Sequence, residues 1–412
     1  MKKCFFLLFI LLPKFNVFSQ TRTLSDYIDA GIQNSPLLKD YSNQQLSNII
    51  DSLRIIANYK PQVVGIANNT YAPSVKGWGY DGAITNGANV SELVTVNKRL
   101  VSKENLNSQY QAIRLLNESL SLSGKITALD LQKTITAQYI TTYGSWQQYQ
   151  FNNELLQLLL KEETILKQLT EKGVYRQTDY LTFLVTIQQQ ELVISQLNIQ
   201  FQNEYASLNY LCAIKDTSAV ILAPPILAPM NIAEPESTVF YKQFMVDSLK
   251  NKNAGEQIDY SYKPKLNLYA DGGYLSSFAA QPYKNFGVSA GVNITVPIYD
   301  GGQKKMLHDK ITIAEQTRQG YRDYFKKQYE QQIAQLSQQL NATEQLIHQA
   351  TAQLKYTQTL VEANRKLLET GDLRMADYIL SISSYLNAKN IITQNTVNKL
   401  QLINQLNYWN RK

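Results

Sequence analysis

Cysteine and histidine are almost missing, with two of each in 412 residues, so neither a disulfide framework nor a Cys/His metal centre can be built. His308 and His348 lie 40 positions apart on one predicted helix, about 60 Å at 1.5 Å per residue, and cannot share a metal there. The five methionines do not cluster, which leaves no soft-ligand path for copper or silver. No segment holds 18 consecutive apolar residues, so a transmembrane helix is excluded. Charge of one sign is weak as well. Without residues 1–19 there remain 37 basic against 33 acidic residues, a net of +4, too small a bias to argue for nucleic acid. No catalytic constellation is visible and no cofactor is implied. The run Asp300-Gly301-Gly302-Gln303-Lys304-Lys305 follows a strand and opens a helix, as phosphate loops do, but lacks their Gly-Lys-Ser/Thr ending.

What is present is globular in kind: 44% hydrophobic residues and 18% charged. Tyrosine, at 27 against 13 phenylalanines, suits surfaces that meet both water and an apolar phase. Lys2 and Lys3 precede an apolar run from Cys4 to Leu12, and Val17-Phe18-Ser19 offers a small residue before Gln20. This pattern predicts a secretory signal peptide over residues 1–19, too short in its apolar run to span a bilayer.

The chain is duplicated. Leu169, Glu171, Gly173, Arg176, Asp179 and Tyr180 recur as Leu367, Glu369, Gly371, Arg374, Asp377 and Tyr378, each 198 positions on, and Leu208-Asn209-Tyr210 recurs as Leu406-Asn407-Tyr408. Upstream, Tyr59-Lys60-Pro61 matches Tyr262-Lys263-Pro264, and Thr95-Val96 matches Thr295-Val296, with the small drift that loop insertions produce. Residues 20–215 form the first repeat, 216–260 a connector with a short helix interrupted by Gly255, and 261–412 the second repeat. Each repeat reads as a helix, two strands and two long helices.

Residues 286–298 alternate, with Val288, Ala290, Val292, Ile294, Val296 and Ile298 on one face and Gly287, Ser289, Gly291, Asn293 and Thr295 on the other. That predicts a strand with one apolar side, long enough at about 3.3 Å per residue to cross a bilayer core at a barrel-like tilt. Its predicted partner covers about 264–274. The first-repeat pair covers about 61–71 and 90–100 and alternates less cleanly. Its intervening loop carries Trp78 and Tyr80, as an exposed or membrane-interface segment does.

From Gln303 to Thr370 there is no proline and Gly320 is the only glycine, which predicts one helix of about 100 Å. Ile333, Leu340, Ile347, Leu354, Val361 and Leu368 fall seven apart, a seam that demands supercoiling against a neighbour. Leu336, Thr343, Ala350, Thr357 and Asn364 beside it are smaller or polar, as they are where a flank meets water or packs closely. Gly173 and Gly371 end long helical runs as C-caps, and Thr178 or Asp372 can start the next helix.

Four strands per chain cannot close a barrel, and open edges are not tolerated in lipid. Three copies give 12 strands. Leu24 through Asn34-Ser35-Pro36, the run Val296-Pro297-Ile298-Tyr299-Asp300-Gly301-Gly302, and the segment Gly371 to Asp377 followed by Tyr385-Leu386-Asn387-Ala388-Lys389 resemble the TolC family of outer-membrane efflux proteins. The resemblance covers nearly all of the chain beyond residue 19. It implies a mostly helical fold with a transmembrane β-barrel contribution: a homotrimer whose 12-stranded barrel, set in outer-membrane lipid, continues into a periplasmic helical tunnel. It further implies a non-enzymatic exit duct of a tripartite pump or type I secretion system, working with a periplasmic adaptor and an inner-membrane transporter. The first repeat departs from the pattern, ending its second strand in Asn97-Lys98-Arg99-Leu100 without Pro or Gly-Gly.

The same resemblance assigns roles at the helical tips. Asp377 takes the first of two acidic positions that ring the family's constriction, Leu380 stands at the second, and Arg374 lies one turn earlier. Gly173, Val174, Tyr175, Arg176, Gly371, Asp372 and Leu373 fall where the adaptor docks. Arg374 and Asp372 are also candidates for the polar links that break on opening. An Asp377–Arg374 pair on a solvated face is the plainer alternative. An exported coiled-coil or adhesin-like protein is the rival from another class, and it leaves the alternation of residues 286–298 unexplained. A periplasmic adaptor would show one helical hairpin rather than two duplicated halves.

Overall fold

The computed structural model describes residues 22–85, 87–215, 221–277 and 281–411. The signal peptide expected at residues 1–19 lies outside them. In chain order the elements are α1 (Leu24–Asn34), α2 (Pro36–Asn58), β1 (Gln62–Tyr71), α3 (Gly82–Thr85), β2 (Ala88–Leu100), α4 (Lys103–Glu171) and α5 (Gln177–Leu211). They continue as α6 (Val239–Ser261), β3 (Lys265–Ser276), β4 (Phe286–Thr295), α7 (Gln303–Thr370) and α8 (Met375–Trp409). Among the described residues no helix is long and apolar enough to cross a membrane.

Local chemistry sets the boundaries. Ser35 is extended, as a residue before proline must be, so the segment from Leu24 to Pro36 is not one helix: Pro36 opens α2 after a break. Asp300 caps α7 with both carboxylate oxygens, accepting from Gly302 N at 2.8 Å and Lys304 N at 2.6 Å. The junction after Leu100 uses a different device: Ser102 Oγ accepts from Asn105 N at 3.3 Å and opens α4 without any glycine. The last strand stops at Thr295, three residues short of Ile298. Thr295 pairs with Lys265, and the next partner back is Pro264, which has no N–H to give. The connector helix is neither short nor interrupted. α6 has the same 23 residues as α2 and runs through Gly255, because Asn253 is buried and its amide holds Ser108 of α4.

The described chain forms two compact units, each drawing on both repeats. One contains α2, the sheet, α6, residues 103–127 of α4 and 303–331 of α7. Its strands lie in the order β1-β2-β3-β4, all antiparallel, and β1 and β4 do not pair with each other. The register puts Val63, Val94, Val96, Leu266, Leu268, Val288, Val292 and Ile294 on one face, with Tyr71, Tyr274 and Phe286 at its loop end. The other face carries Asn68, Thr95, Asn97, Asn267, Asp271, Ser289 and Asn293. Below the sheet, Glu315 of α7 accepts from Arg318 at 2.7 Å and from Ser248 and Asn251 of α6, while Arg318 also reaches Phe244 O.

The other unit contains α1, α5, α8, residues 128–171 of α4 and 332–370 of α7. Its helices are joined by carboxamide rungs: Gln190 of α5 to Asn152 of α4, Gln401 and Asn404 of α8 to Ala137 O and Lys133 O of α4, and Asn398 of α8 to Thr343 of α7. The small positions beside the α7 seam are not wet. Leu336, Thr343, Ala350 and Thr357 are all buried, at least as deeply as Ile347 and Leu354, so their size serves close packing, while Asn364 is half-buried. An aromatic core around Tyr27, Tyr139 and Tyr205 ties α1 to α4 and α5, with Tyr139 donating to Ala223 O at 2.6 Å.

Candidate functional site

Two helix-to-helix tips, α4–α5 and α7–α8, carry the sequence-selected residues. Each begins with the same stop. Val174 N donates to Leu169 O at 2.9 Å and Gly173 N to Thr170 O at 3.0 Å; Asp372 N donates to Leu367 O at 3.0 Å and Gly371 N to Leu368 O at 3.2 Å. These are Schellman motifs, and they place Gly173 at φ 77° and Gly371 at φ 83°, where a side chain is strained. The following helices start at neither Thr178 nor Asp372. The Asp372 N–H is already committed to the preceding helix and Thr178 sits inside α5, so Arg176 and Arg374 occupy the N-cap positions in extended backbone. An arginine has no acceptor to cap with, and at the first tip Asp179 compensates by accepting from Arg176 N at 3.2 Å.

The tips pack on each other. Tyr175 is only 8% exposed, and its hydroxyl donates to Leu373 O at 2.9 Å, with Leu368 O at 3.4 Å. Burial, then the nearby Asp179 and Asp372 charges, push its phenol upward in pKa against the lowering effect of the Leu373 bond. A Cβ on Gly371 would stand 2.5 Å from Val174 Cγ1, so this glycine also admits its neighbour, whereas Gly173 faces open space. The structure therefore brings Val174 and Tyr175 together with Gly371 and Leu373. It leaves Arg176, Asp372, Arg374, Asp377 and Leu380 exposed. Arg374 and Asp377 form no ion pair among the described residues; their link is Asp377 N to Arg374 O at 3.0 Å.

Behind the tips lies a core of Leu155, Leu159, Leu166, Phe183, Val361, Leu368, Met375, Tyr378 and Ile382. Inside it is a group that sequence reasoning missed. Glu162 of α4 is 1% exposed, and among the described residues neither its Oε2 nor the Tyr378 hydroxyl has a hydrogen-bond partner. Desolvation raises the Glu162 pKa, Arg365 of α7 lowers it, and Glu369 raises it. The signal was available: Leu155, Leu159, Glu162 and Leu166 share one helical face, and one of the four is charged. By contrast, Tyr180, the repeat equivalent of Tyr378, donates to Glu163 at 2.6 Å.

No family model and no curated protein matches the sequence. Solved structures match the fold. The outer membrane protein VceC from Vibrio cholerae aligns with a TM-score of 0.75 at 12% identity, covering 94% of this chain and 96% of that one. The CmeC outer membrane channel of Campylobacter jejuni aligns with a TM-score of 0.73 at 12% identity, over 94% and 85%. The MtrE outer membrane channel of Neisseria gonorrhoeae, in its open state, gives 0.72 at 12% identity, over 94% and 88%. Such likeness, at so little identity, is a statement about architecture.

Proposed function

We propose, starting from a chain that has the TolC-type fold of these channels, that this protein is an outer-membrane exit duct. Three copies close a 12-stranded barrel in outer-membrane lipid, and their helices form a tunnel in the periplasm. The duct passively conducts small molecules handed on by an inner-membrane transporter through a periplasmic adaptor.

One observation carries this reading. The four-stranded sheet has an apolar face from Phe286 to Ile294, a polar opposite face, and two edges, β1 and β4, that do not meet within the chain. In lipid every strand edge must be paired, so copies of the same sheet must supply the missing partners. Aromatic Tyr71, Tyr274 and Phe286 at one end of the apolar face fit a membrane interface. The export signal expected from the sequence of residues 1–19 agrees with the destination.

At the tips the sequence-selected residues divide into roles. Asp377, Leu380 and Arg374 line the constriction, and Gly173, Val174, Arg176, Gly371, Asp372 and Leu373 receive the adaptor. Tyr175 acts from within, bracing one tip on the other. The test is single-channel recording in planar bilayers with the detergent-solubilised protein, alongside its mass. A trimer with small, stable conductance is expected. A soluble species without conductance would overturn the duct and put an exported coiled-coil scaffold in its place.

A further inference from the structure

Where β2 turns into α4 and α6 into β3, the chain leaves a cavity of about 510 Å³ lined by Arg99, Lys263 and Lys265, with Tyr59, Gln109 and Tyr260 among its walls. No carboxylate lines it. Arg99 pairs with Asn267 across the ladder, two positions from Lys265, so the two cations are diagonal neighbours on the polar face of the sheet, about 7–8 Å apart. Lys263 stands at the rim with its ammonium 4.5 Å from the Tyr260 ring. Tyr59, one of the lining residues, accepts from Gln109 at 2.7 Å, and a phenol that accepts still has its own O–H to give. Glu104, at the start of α4, is held by its own backbone and by Ser102, with the Lys263 charge as a smaller influence.

The corresponding junction of the other repeat is built differently. Where β4 turns into α7, Lys304 and His308 are met at 3.0 Å and 3.2 Å by Asp259 of α6, the residue before Tyr260 of the cavity wall, and Asp300 caps α7. The cations of α7 are met by a carboxylate in an ion pair, whereas Arg99, Lys263 and Lys265 form no ion pair among the described residues. Like charges at diagonal positions repel, and a bound anion would offset that repulsion.

We propose that this cavity is an anion site, taking phosphate, pyrophosphate or a comparable small oxyanion, free or carried by an organic cargo. The assignment of that anion to the transport path rests on the duct reading, in which the polar face lines the water-filled lumen. Three copies then place nine cations around the base of the barrel, and the duct gains affinity for anionic cargo where strands meet helices.

The probe is pyrophosphate, titrated calorimetrically into the purified full-length protein and added separately to single channels in bilayers. Saturable binding and partial current block are expected, both weakened at least about tenfold in Arg99→Gln/Lys265→Gln. Lys98→Gln, which removes a cation from the opposite face of the same strand, should leave both unchanged. Lys263→Gln alone serves if the double variant fails to assemble, and it should weaken binding severalfold. Equal binding in wild type and the cation variants overturns the site, even when conductance stands. Binding without conductance supports the site and removes the duct. Displacement of pyrophosphate by phosphatidylglycerol, absent with a neutral lipid, overturns the lumenal assignment in favour of a lipid headgroup.

Discussion

Tyr175 gives its phenolic hydrogen to the carbonyl oxygen of Leu373 at 2.9 Å, and Leu373 stands in the second repeat where Tyr175 stands in the first, 198 positions on. The duplication is thus asymmetric at this position. One tip supplies a side-chain donor, and its counterpart supplies the backbone acceptor. Removing the hydroxyl in Tyr175→Phe keeps the ring packed and deletes the bond, which should lower stability by about 1 kcal/mol. Amide exchange in residues 367–375 should accelerate while the sheet is unaffected. Unchanged exchange at the tip would mean the bond does not hold the two hairpins together.

The two tip glycines should respond differently to alanine. Both sit at positive φ, for which an alanine costs about 1–2 kcal/mol. At Gly173 that strain is the whole effect, since nothing lies within 4 Å of the added carbon. At Gly371 the carbon meets Val174 Cγ1 at 2.5 Å, so Gly371→Ala should be the more damaging. Adding Val174→Ala should recover part of the difference, a coupling that a double-mutant cycle on thermal unfolding would read. Additive effects would place the two side chains out of contact.

Glu162 makes the tip core sensitive to pH. Its carboxyl is raised in the folded protein by desolvation, so the folded state holds a proton that the unfolded chain releases earlier. Stability therefore falls as pH climbs from the ordinary carboxylate range through the raised value, and levels off beyond it. Arg365, Glu369 and Tyr378 are the groups whose charge or dipole acts on it from α7 and α8. Glu162→Gln should remove this segment of the pH profile and stabilise the protein at pH 8. A profile that keeps the same slope would assign the titration elsewhere.

Long-range periodicity made most of the architecture legible. The seven-residue seam on α7, the alternation of Phe286 to Thr295 and the constant offset of 198 each depend on many residues agreeing, and no single side chain can spoil them. Boundaries were harder because one hydrogen bond decides them. Ser102 opens α4 at a junction that has no Pro or Gly-Gly to mark it, the missing N–H of Pro264 shortened β4, and packing around Asn253 carried α6 through Gly255. At the tips, the motif located the residues but not their division between buried brace and exposed face. Nothing in the spacing distinguishes Tyr175, which turns inward, from Arg176, which does not. Glu162 was hidden for the opposite reason: on a long helix a lone glutamate looks like solvent-facing surface until the neighbouring helices are placed.

Acid should loosen α6 from α7. Glu315 is lowered to about 2, first by its hydrogen bonds with Arg318 and then by those from Asn251 and Ser248. A carboxyl depressed in the folded state contributes stability above its unfolded pKa and loses it as pH falls toward the folded one. Glu315→Gln should cost roughly 2–3 kcal/mol at neutral pH, and the gap to wild type should close between about pH 4.5 and pH 2. Urea unfolding across that range is the measurement. A gap that persists at pH 2 would show that shape, not charge, holds the clamp.

Asp377 and Leu380 lie one helical turn apart on the exposed side of α8, with Arg374 just before them and no ion pair between Arg374 and Asp377. In a trimer three Asp377 carboxylates would converge without a neutralising partner on the same chain, and such a ring favours cations. Asp377→Asn should then lower the cation preference measured from reversal potentials in a salt gradient, with the number of channels formed unchanged. Leu380→Asp adds a second ring one turn further in and should raise the preference above wild type, more so at low ionic strength where screening is weak. Arg374→Gln separates the two explanations of the acidic position. If Asp377 were silently paired with this arginine, removing the guanidinium would free it and alter selectivity strongly; as an already unpaired carboxylate it should gain only the modest effect of losing one nearby positive charge.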